Sequence, residues 1–304
     1  MRVQLKSIIC ATDLSDFSNH AVSYGISLAK ELGVKLYVCH VVDISYAAVY
    51  GKGSDAAEQE SRIMNYAHEH LKRSVGEQPV DWEPLITKGH PANEIARMAE
   101  EKDVDLAISA SHGRSGLKRL ILGSVTDRLM RTLPCPLLVV RRPEHDFVAP
   151  ANEEIRLKRI FVGCDFSPDS SLAFQYGLSL AQEFQAELHL IHVIEPPVYK
   201  DLLKPAIDSG EGLEQDLRDR FNEKLRNMVP EEARNWCTTK TILLPGRPHE
   251  ELTKYAVVND ADLIVLGVRG HGLIEMLFVG STTDRVVRQA PCPVLSVRPK
   301  VQGA

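Results

Sequence analysis

The sequence lacks the features that would place the chain in a membrane or on a nucleic acid. None of its apolar runs reaches the roughly 18 uncharged residues that a membrane-spanning helix needs. The net charge is −5, the wrong sign for a general nucleic-acid or anionic-membrane surface. The first apolar run, SIICAT, is short and is soon followed by Asp13, unlike a signal peptide. We therefore expect a cytoplasmic protein with neither nucleic-acid nor membrane partners.

The cysteines lack the spacing of a metal site or of a disulfide framework. The chain has 6 cysteines, but no CxxC pair and no zinc-like cluster with histidine. Most of them lie within apolar runs, where cysteine behaves as a small hydrophobic residue. This pattern predicts no bound metal and no disulfides, and it leaves redox sensing by one cysteine open.

Two common nucleotide-binding signatures are missing as well. There is no G-x-x-x-x-G-K-[ST], which excludes a P-loop NTPase. No G-x-G-x-x-G follows the first predicted strand, which argues against a dinucleotide oxidoreductase. A nucleotide site in this chain must therefore be built from other elements.

The sequence does contain an internal repeat of two similar copies. KSIICATDLSDFSNHAV matches KRIFVGCDFSPDSSLAF 152 residues later, so Asp13 aligns with Asp165. After the second strand the separation becomes 157 residues, and GSVTDRLMRTLPCPLLVVRR from Gly123 matches GSTTDRVVRQAPCPVLSVRP from Gly280 at 12 of 20 positions. Five residues have therefore entered the second copy between its second and third strands.

Each copy alternates short β-rich runs with helical patterns. VKLYVCHVV is densely apolar, as a strand covered on both faces should be, and residues 16–32 have helical apolar spacing with Ser15 or Asp16 as the cap. Such alternation predicts α/β domains, each a five-stranded parallel sheet with helices on both faces. The 304 residues divide into domains at 1–142 and 156–304, with a polar linker at 143–155.

The loop after the fourth strand of the second copy is the most informative segment. In such sheets ligands bind beyond the carboxyl ends of the strands, where strand order reverses. This loop reads GVRGHGLIEMLFVGST, and its glycines let backbone approach a ligand. Gly280 and Ser281 open a helix whose free amides favour phosphate, Thr282 adds a hydroxyl, and Arg269 is a candidate charge. Glycines at such junctions are also ordinary turn residues, so spacing alone leaves both interpretations open.

In both copies the chain resembles the universal stress protein family in its tandem form, with UspA-like domains. The resemblance is carried by ATDLSDFS and GCDFSPDS, by HVVD and HVIE, by the Gly-x-x-Gly, nine residues, Gly-Ser loop, and by PCPLLVV and PCPVLSV. It implies two Rossmann-like domains of the adenine nucleotide α-hydrolase type that bind adenine nucleotide without a P-loop. It also implies an aspartate and a valine at the adenosine, glycines at the ribose and α-phosphate, and the Gly-Ser helix start at the phosphates.

The resemblance assigns candidate binding residues in each copy. In the second copy they are Asp165, Val193, Gly267, Gly270, Gly280, Ser281 and Thr282. In the first copy they are Asp13, Val41, Gly113, Gly123, Ser124 and Val125. Ala110 replaces the first glycine of the pattern, and we expect its methyl group to crowd the ribose. The expected ligand is ATP, with AMP or ADP as alternatives and Mg²⁺ held through the phosphates, and the second copy is the stronger candidate.

Three functions are compatible with these residues. The favoured one is a nucleotide-binding stress regulator with slow or absent ATP hydrolysis, because the loop has no evident general base. We interpret Asp127 and Asp284 as partners of the helix dipole, and we assign no catalytic residue. A weak ATPase or nucleotidyl-transferring enzyme is disfavoured because the SGGxDS, HIGH and KMSKS signatures are missing. A scaffold without nucleotide is the third interpretation, and Ala110 keeps it open for the first copy.

The last strand of each copy predicts how the copies associate. In single-domain members of the family this strand pairs between partners. By this resemblance PLLVV and PVLSV would pair within one chain as an intramolecular pseudo-dimer, and a further homodimer stays open.

Overall fold

The computed structural model describes residues 3–43, 56–111, 122–141, 146–148, 154–195, 210–270 and 279–300. They form two units, one built mainly from Gln4–Arg142 and the other mainly from Leu157–Arg298. Among these residues no helix is long and apolar enough to cross a membrane. Most of the predicted linker lies outside the described residues.

The N-terminal unit alternates strands with helices, as the sequence predicts. Its strands are β1 (Ser7–Ala11), β2 (Lys35–Asp43), β3 (Trp82–Gly89), β4 (Leu106–Ala110) and β5 (Leu137–Val140). Its helices are α1 (Asp16–Leu32), α2 (Ala56–Val75), α3 (Pro91–Glu101) and α4 (Ser124–Thr132).

The C-terminal unit repeats this succession. Its strands are β6 (Arg159–Gly163), β7 (Glu187–Ile194), β8 (Thr239–Pro245), β9 (Leu263–Gly267) and β10 (Val294–Val297). Its helices are α5 (Pro168–Phe184), α6 (Gly210–Met228), α7 (Pro248–Val258) and α8 (Ser281–Gln289), with a short 3₁₀ helix at Glu231–Asn235.

Each unit has a sheet of five parallel strands, which confirms the predicted fold class. The order is β3-β2-β1-β4-β5 in the N-terminal unit and β8-β7-β6-β9-β10 in the C-terminal unit. Every pair within each unit is parallel. The chain runs outward from β1 through β2 to β3 and returns to β4 on the other side of β1. The order therefore reverses between β1 and β4, and likewise between β6 and β9.

A glycine in the first helix of each unit lets that helix lie close to the central strand. A Cβ atom on Gly25 of α1 would lie 2.1 Å from Sγ of Cys10 in β1. A Cβ atom on Gly177 of α5 would lie 2.5 Å from Cγ2 of Val162 in β6. Both separations are shorter than non-bonded contact allows, so close helix-to-strand packing depends on glycine at these positions.

Replacing Gly25 with alanine should destabilise the N-terminal unit. Overpacking a tight core costs about 1–3 kcal/mol, which exceeds the roughly 1 kcal/mol that alanine regains through helix propensity. Urea denaturation followed by circular dichroism should show a lower midpoint for Gly25→Ala. Lys30→Ala, on the exposed side of the same helix, is the matched control. Adding Cys10→Ala should restore part of the loss, and an unchanged midpoint in Gly25→Ala would contradict the packing argument.

Candidate functional site

The candidate site lies where strand order reverses in the C-terminal unit. β6 and β9 are parallel neighbours, with Val162 opposite Val265, so both strands end at the same edge of the sheet. Asp165 lies two residues beyond the end of β6, and Gly267 is the last residue of β9. The topology therefore brings together two loops that are about a hundred residues apart in the sequence.

Asp165, Gly270 and Gly280 meet at this edge and form what we call the glycine cradle. A Cβ atom on Gly270 would lie 2.6 Å from Oδ2 of Asp165. A Cβ atom on Gly280 would lie 3.7 Å from the backbone nitrogen of Gly270 and 4.0 Å from Cα of Arg269. The backbone of residues 269–270 therefore lies against both the carboxylate and the start of α8. A side chain at position 270 would collide with the carboxylate, so this close approach requires glycine.

The turn that carries Asp165 is strained in the same way in both copies. Phe166 has φ 64° and the equivalent Leu14 has φ 65°, values in the left-handed region that non-glycine residues rarely adopt. Oδ1 of Asp165 accepts a hydrogen bond from the backbone nitrogen of Ser167 at 3.0 Å. Ser167 in turn caps α5, as Ser15 caps α1. Strain of this kind is commonly retained next to functional residues, and here it sets the direction of the chain after the aspartate.

The start of α8 is held to the end of β9 and has no side-chain cap of its own. Gly280 is the N-cap, and its backbone nitrogen donates to the carbonyl oxygen of Val268 at 2.7 Å. The buried Thr283 hydroxyl donates to the carbonyl oxygen of Gly267 at 2.7 Å. Ser281 is exposed and Thr282 half-buried. Because glycine cannot cap a helix with a side chain, the first-turn amides favour an anion.

Thr283 is a positioning residue that the sequence analysis missed. Thr126 of α4 makes the equivalent bond, donating to the carbonyl oxygen of Ala110 at 2.7 Å. The signal was present, because the Thr-Asp-Arg triplet after Gly-Ser recurs in both copies. The residues next to this threonine in the sequence do not indicate that its hydroxyl donates to a carbonyl oxygen at the end of the preceding strand.

Packing gives Gly267 a reason to be glycine besides its predicted contact with the ligand. Its added Cβ would lie 2.7 Å from the carbonyl carbon of Asp169 and 2.8 Å from the backbone nitrogen of Ser170, both in the first turn of α5. The absence of a side chain at position 267 therefore lets the first turn of α5 pack against the end of β9. Ala110, at the equivalent position, is 5% exposed, which indicates a packed methyl group. Arg269, predicted as a phosphate charge, is instead paired with Asp169.

The ends of β2 and β7 are tied to the aspartate loops by histidine. Nδ1 of His192 donates to the carbonyl oxygen of Cys164 at 2.7 Å, and Nδ1 of His40 donates to that of Thr12 at 2.9 Å. These histidines are thus hydrogen-bonding residues near the ends of β2 and β7. The candidate valines beside them, Val41 and Val193, are buried at 8% and 9% exposure.

An aromatic cluster stands beside Asp165 in the C-terminal unit. The rings of Phe166 and His192 have centroids 4.6 Å apart, and Phe221 of α6 lies 4.6 Å from His192. The ammonium group of Lys224 lies 5.1 Å from the centroid of Phe166. Burial lowers the pKa of His192, although its bond to Cys164 acts in the opposite direction. The side chain is therefore a neutral, apolar-facing element near neutral pH.

The N-terminal unit has the same framework but engages its aspartate differently. Oδ1 of Asp13 accepts hydrogen bonds from the backbone nitrogen of Ser15 at 3.0 Å, the Ser15 hydroxyl at 2.5 Å and the Ser18 hydroxyl at 2.6 Å. Gly123 is the N-cap of α4, which begins with Ser124 and Val125. Gly113 lies outside the described residues.

The cysteines are those of a protein interior. All six are buried, and none forms a disulfide. Burial raises the pKa of Cys39 to about 12 and also raises the pKa values of Cys10, Cys164 and Cys237. Reactive cysteines have lowered pKa values and solvent access, so this arrangement argues against redox sensing. Among the described residues, no three or more His, Cys, Asp or Glu side chains are grouped to hold a metal ion.

The framework matches that of known proteins. The family model described as the universal stress protein family matches residues 4–141 and again residues 156–298. The chain belongs to the universal stress protein family. Its two matched segments correspond to the two units, so the sequence resemblance to a tandem member is confirmed.

Individual universal stress proteins support the same assignment. One from Mycobacterium tuberculosis is 24% identical over 300 residues, covering 96% of each chain. One from Methanocaldococcus jannaschii is 34% identical over 146 residues, covering 46% of this chain and 85% of the relative. The crystal structure of one from Archaeoglobus fulgidus superposes with a TM-score of 0.68 at 22% identity, covering 97% of each chain, which shows a shared fold.

The stability of the C-terminal unit should depend on the protonation of His192. Because folding lowers its pKa, the unfolded chain takes up a proton first as the pH falls through about 6.5. Stability should therefore decrease between about pH 7.5 and about pH 5.5. His192→Gln removes this titration and should reduce the slope of melting temperature against pH, with a remainder from His189 and His249, whose pKa values are also lowered by burial. A slope identical to that of the wild type would show that His192 contributes nothing to it.

Proposed function

We propose that this universal stress protein binds ATP in its C-terminal unit and acts as a stress-response regulator without strong catalysis. The observation that carries the proposal is the glycine cradle. It places a carboxylate and an anion-favouring helix start on either side of a backbone segment that has no side chain at residue 270. Few ligands need both features, and a nucleoside phosphate is one of them.

The groups present suit each part of the ligand. The carboxylate of Asp165 can accept hydrogen bonds from ribose hydroxyl groups. The first-turn amides of α8, with the hydroxyls of Ser281 and Thr282, can donate to phosphate oxygens. Magnesium prefers substrate phosphates, water and one or two carboxylates, so it would be bound chiefly through the nucleotide. AMP and ADP satisfy the same donors and are the alternative ligands.

The surroundings of the helix start support binding rather than rapid hydrolysis. Asp284, the carboxylate in the first turn of α8, forms a bidentate ion pair with Arg288, with an Nη2–Oδ1 distance of 2.9 Å and an Nε–Oδ2 distance of 3.1 Å. Both oxygens of this carboxylate are thus engaged by the guanidinium, which leaves neither positioned to hold an attacking water molecule. A weak ATPase or nucleotidyl-transferring activity would need a base from elsewhere in the chain.

The N-terminal unit is proposed as the weaker site. Three hydrogen bonds from Ser15 and Ser18 occupy Oδ1 of Asp13, so this oxygen is less available to a ribose. We therefore expect about one nucleotide per chain after the purified protein is denatured and the released ligand is chromatographed. Two per chain would show that the N-terminal unit binds equally well. None, with no calorimetric signal from added ATP and magnesium, would favour the scaffold interpretation.

Gly280→Val should abolish ATP binding to the C-terminal unit while the fold persists. The backbone of Gly280, at φ −59° and ψ 142°, suits any residue, and an added Cβ has no neighbour closer than 3.4 Å. A branched side chain would nevertheless stand where phosphate approaches the helix start, and we expect an affinity loss of about 100-fold or more. Isothermal calorimetry measures the affinity, and circular dichroism checks the fold. Gly123→Val, in the N-terminal unit, is the matched control, and unchanged binding in Gly280→Val would refute the site.

We also propose that the two units pair within one chain and that the protein is cytoplasmic. β5 and β10 are the last strands in the orders of their own sheets, and apolar edge strands of this kind need to be covered. Six cysteines that form no disulfide suit a reducing compartment. A protease site introduced at 149–153 tests the pairing. After cleavage the halves should co-elute at the size of the intact chain, and separate elution would contradict it.

A further inference from the structure

Arg269 forms a nearly buried ion pair with Asp169 inside the candidate site. Nε and Nη2 of Arg269 donate to the two carboxylate oxygens of Asp169 at 3.0 Å and 3.1 Å. The backbone nitrogen of Arg269 donates to the same carboxylate at 3.2 Å. The side chain of Asp169 is 7% exposed and that of Arg269 is 26% exposed. Both the side chain and the backbone of Arg269 are therefore fixed to the first turn of α5.

This ion pair acts on the part of the loop that shapes the glycine cradle. Residue 270, which follows Arg269 directly, is the one whose added Cβ would meet Asp165 at 2.6 Å. Cα of Arg269 itself would be 4.0 Å from a Cβ on Gly280. The spacing between the carboxylate and the start of α8 thus depends on where the backbone of Arg269 lies. The Ser167 hydroxyl, 3.5 Å from the carbonyl oxygen of Arg269, adds a second tie to α5.

The N-terminal unit cannot make this ion pair. By the alignment of the two copies, Phe17 stands at the position of Asp169 and His112 at that of Arg269. The two copies therefore share the glycines and the helix start but differ in what holds the loop between them. A bidentate guanidinium–carboxylate pair is geometrically specific, which suits a positioning role.

We propose that Arg269 is a positioning residue of the nucleotide site, acting through Asp169 and not through contact with phosphate. The inference rests on the proposed function, because it concerns affinity at the same site. It differs from the expectation that Arg269 supplies a phosphate charge. Loss of the pair should loosen the loop at Gly270 and weaken every ligand that uses Asp165, whether or not that ligand carries phosphate.

Adenosine and ATP, titrated separately by calorimetry, distinguish the two roles. For Arg269→Gln and for Asp169→Asn we expect about a tenfold loss of affinity for both ligands. The free energy of one charge-assisted hydrogen bond corresponds to a change in affinity of about this size. A loss for ATP alone would show that Arg269 contacts phosphate and would overturn the proposal. Lower thermal stability with unchanged affinity for both ligands would make the pair merely structural and would also overturn it.

A rescue variant and a control guard against trivial loss of folding. In Asp169→Asn/Arg269→Gln the two amides can hydrogen-bond without a buried charge, and affinity should partly recover. Arg159→Gln removes the ion pair with Asp260 at the start of β6, at the opposite end of that strand from the cradle, and should leave both affinities unchanged. Failure of the double variant to recover, with all variants folded, would count against the proposal.

A readout without ligand separates this inference from the proposed function. Hydrogen exchange at the amide of Arg269 should be slow in the wild type and faster in Arg269→Gln, because the side chain holds the loop to Asp169. If the exchange behaves in this way but the wild type binds neither adenosine nor ATP, the nucleotide function fails while the loop positioning stands. If exchange is unchanged, the positioning role fails even where the wild type binds ATP.

Discussion

The parallel pairing of β6 with β9, and of β1 with β4, is the constraint on which both halves of the molecule depend. From each central strand the chain continues to the two strands on one side of it and then returns to a strand on its other side. Because β6 and β9 are parallel neighbours, the loops that follow them lie at the same edge of the sheet. The histidine at the end of β7, the cap of α5 and the start of α8 are all anchored to those two loops. A ligand there would contact parts of the chain that only this strand order brings together.

The elements and the fold class were predictable because their signals are local or periodic. Alternating apolar runs, helix caps at Ser15 and Ser167, and glycine before Ser124 and Ser281 can all be read from neighbouring residues. The roles of Gly267 and Arg269 were not predictable in this way. Both residues meet Asp169, about a hundred positions earlier, and a spacing pattern contains no information on which helix packs over a given strand end. The motif therefore marks this loop as a candidate site but carries no information on its contacts with the first turn of α5.

Duplication has kept the backbone and changed the side chains. Both copies retain the left-handed residue after the aspartate, the strand-end histidine and the threonine that fastens the last helix. These features set geometry, and losing any of them would disturb the whole edge. The partners of the aspartate differ, with serine hydroxyls around Asp13 and an aromatic cluster beside Asp165. Selection on one framework has therefore left two chemically distinct edges in a single polypeptide.

The burial of the cysteines has a consequence for a protein of this family. Thiolate, not thiol, reacts with peroxide. All six cysteines are buried, and burial raises the pKa values of four of them, Cys10, Cys39, Cys164 and Cys237. An oxidant should therefore react with these thiols more slowly than with exposed, acidic thiols. Under the function proposed above, the state of this molecule would instead follow the concentration of a small molecule and reset when that concentration falls.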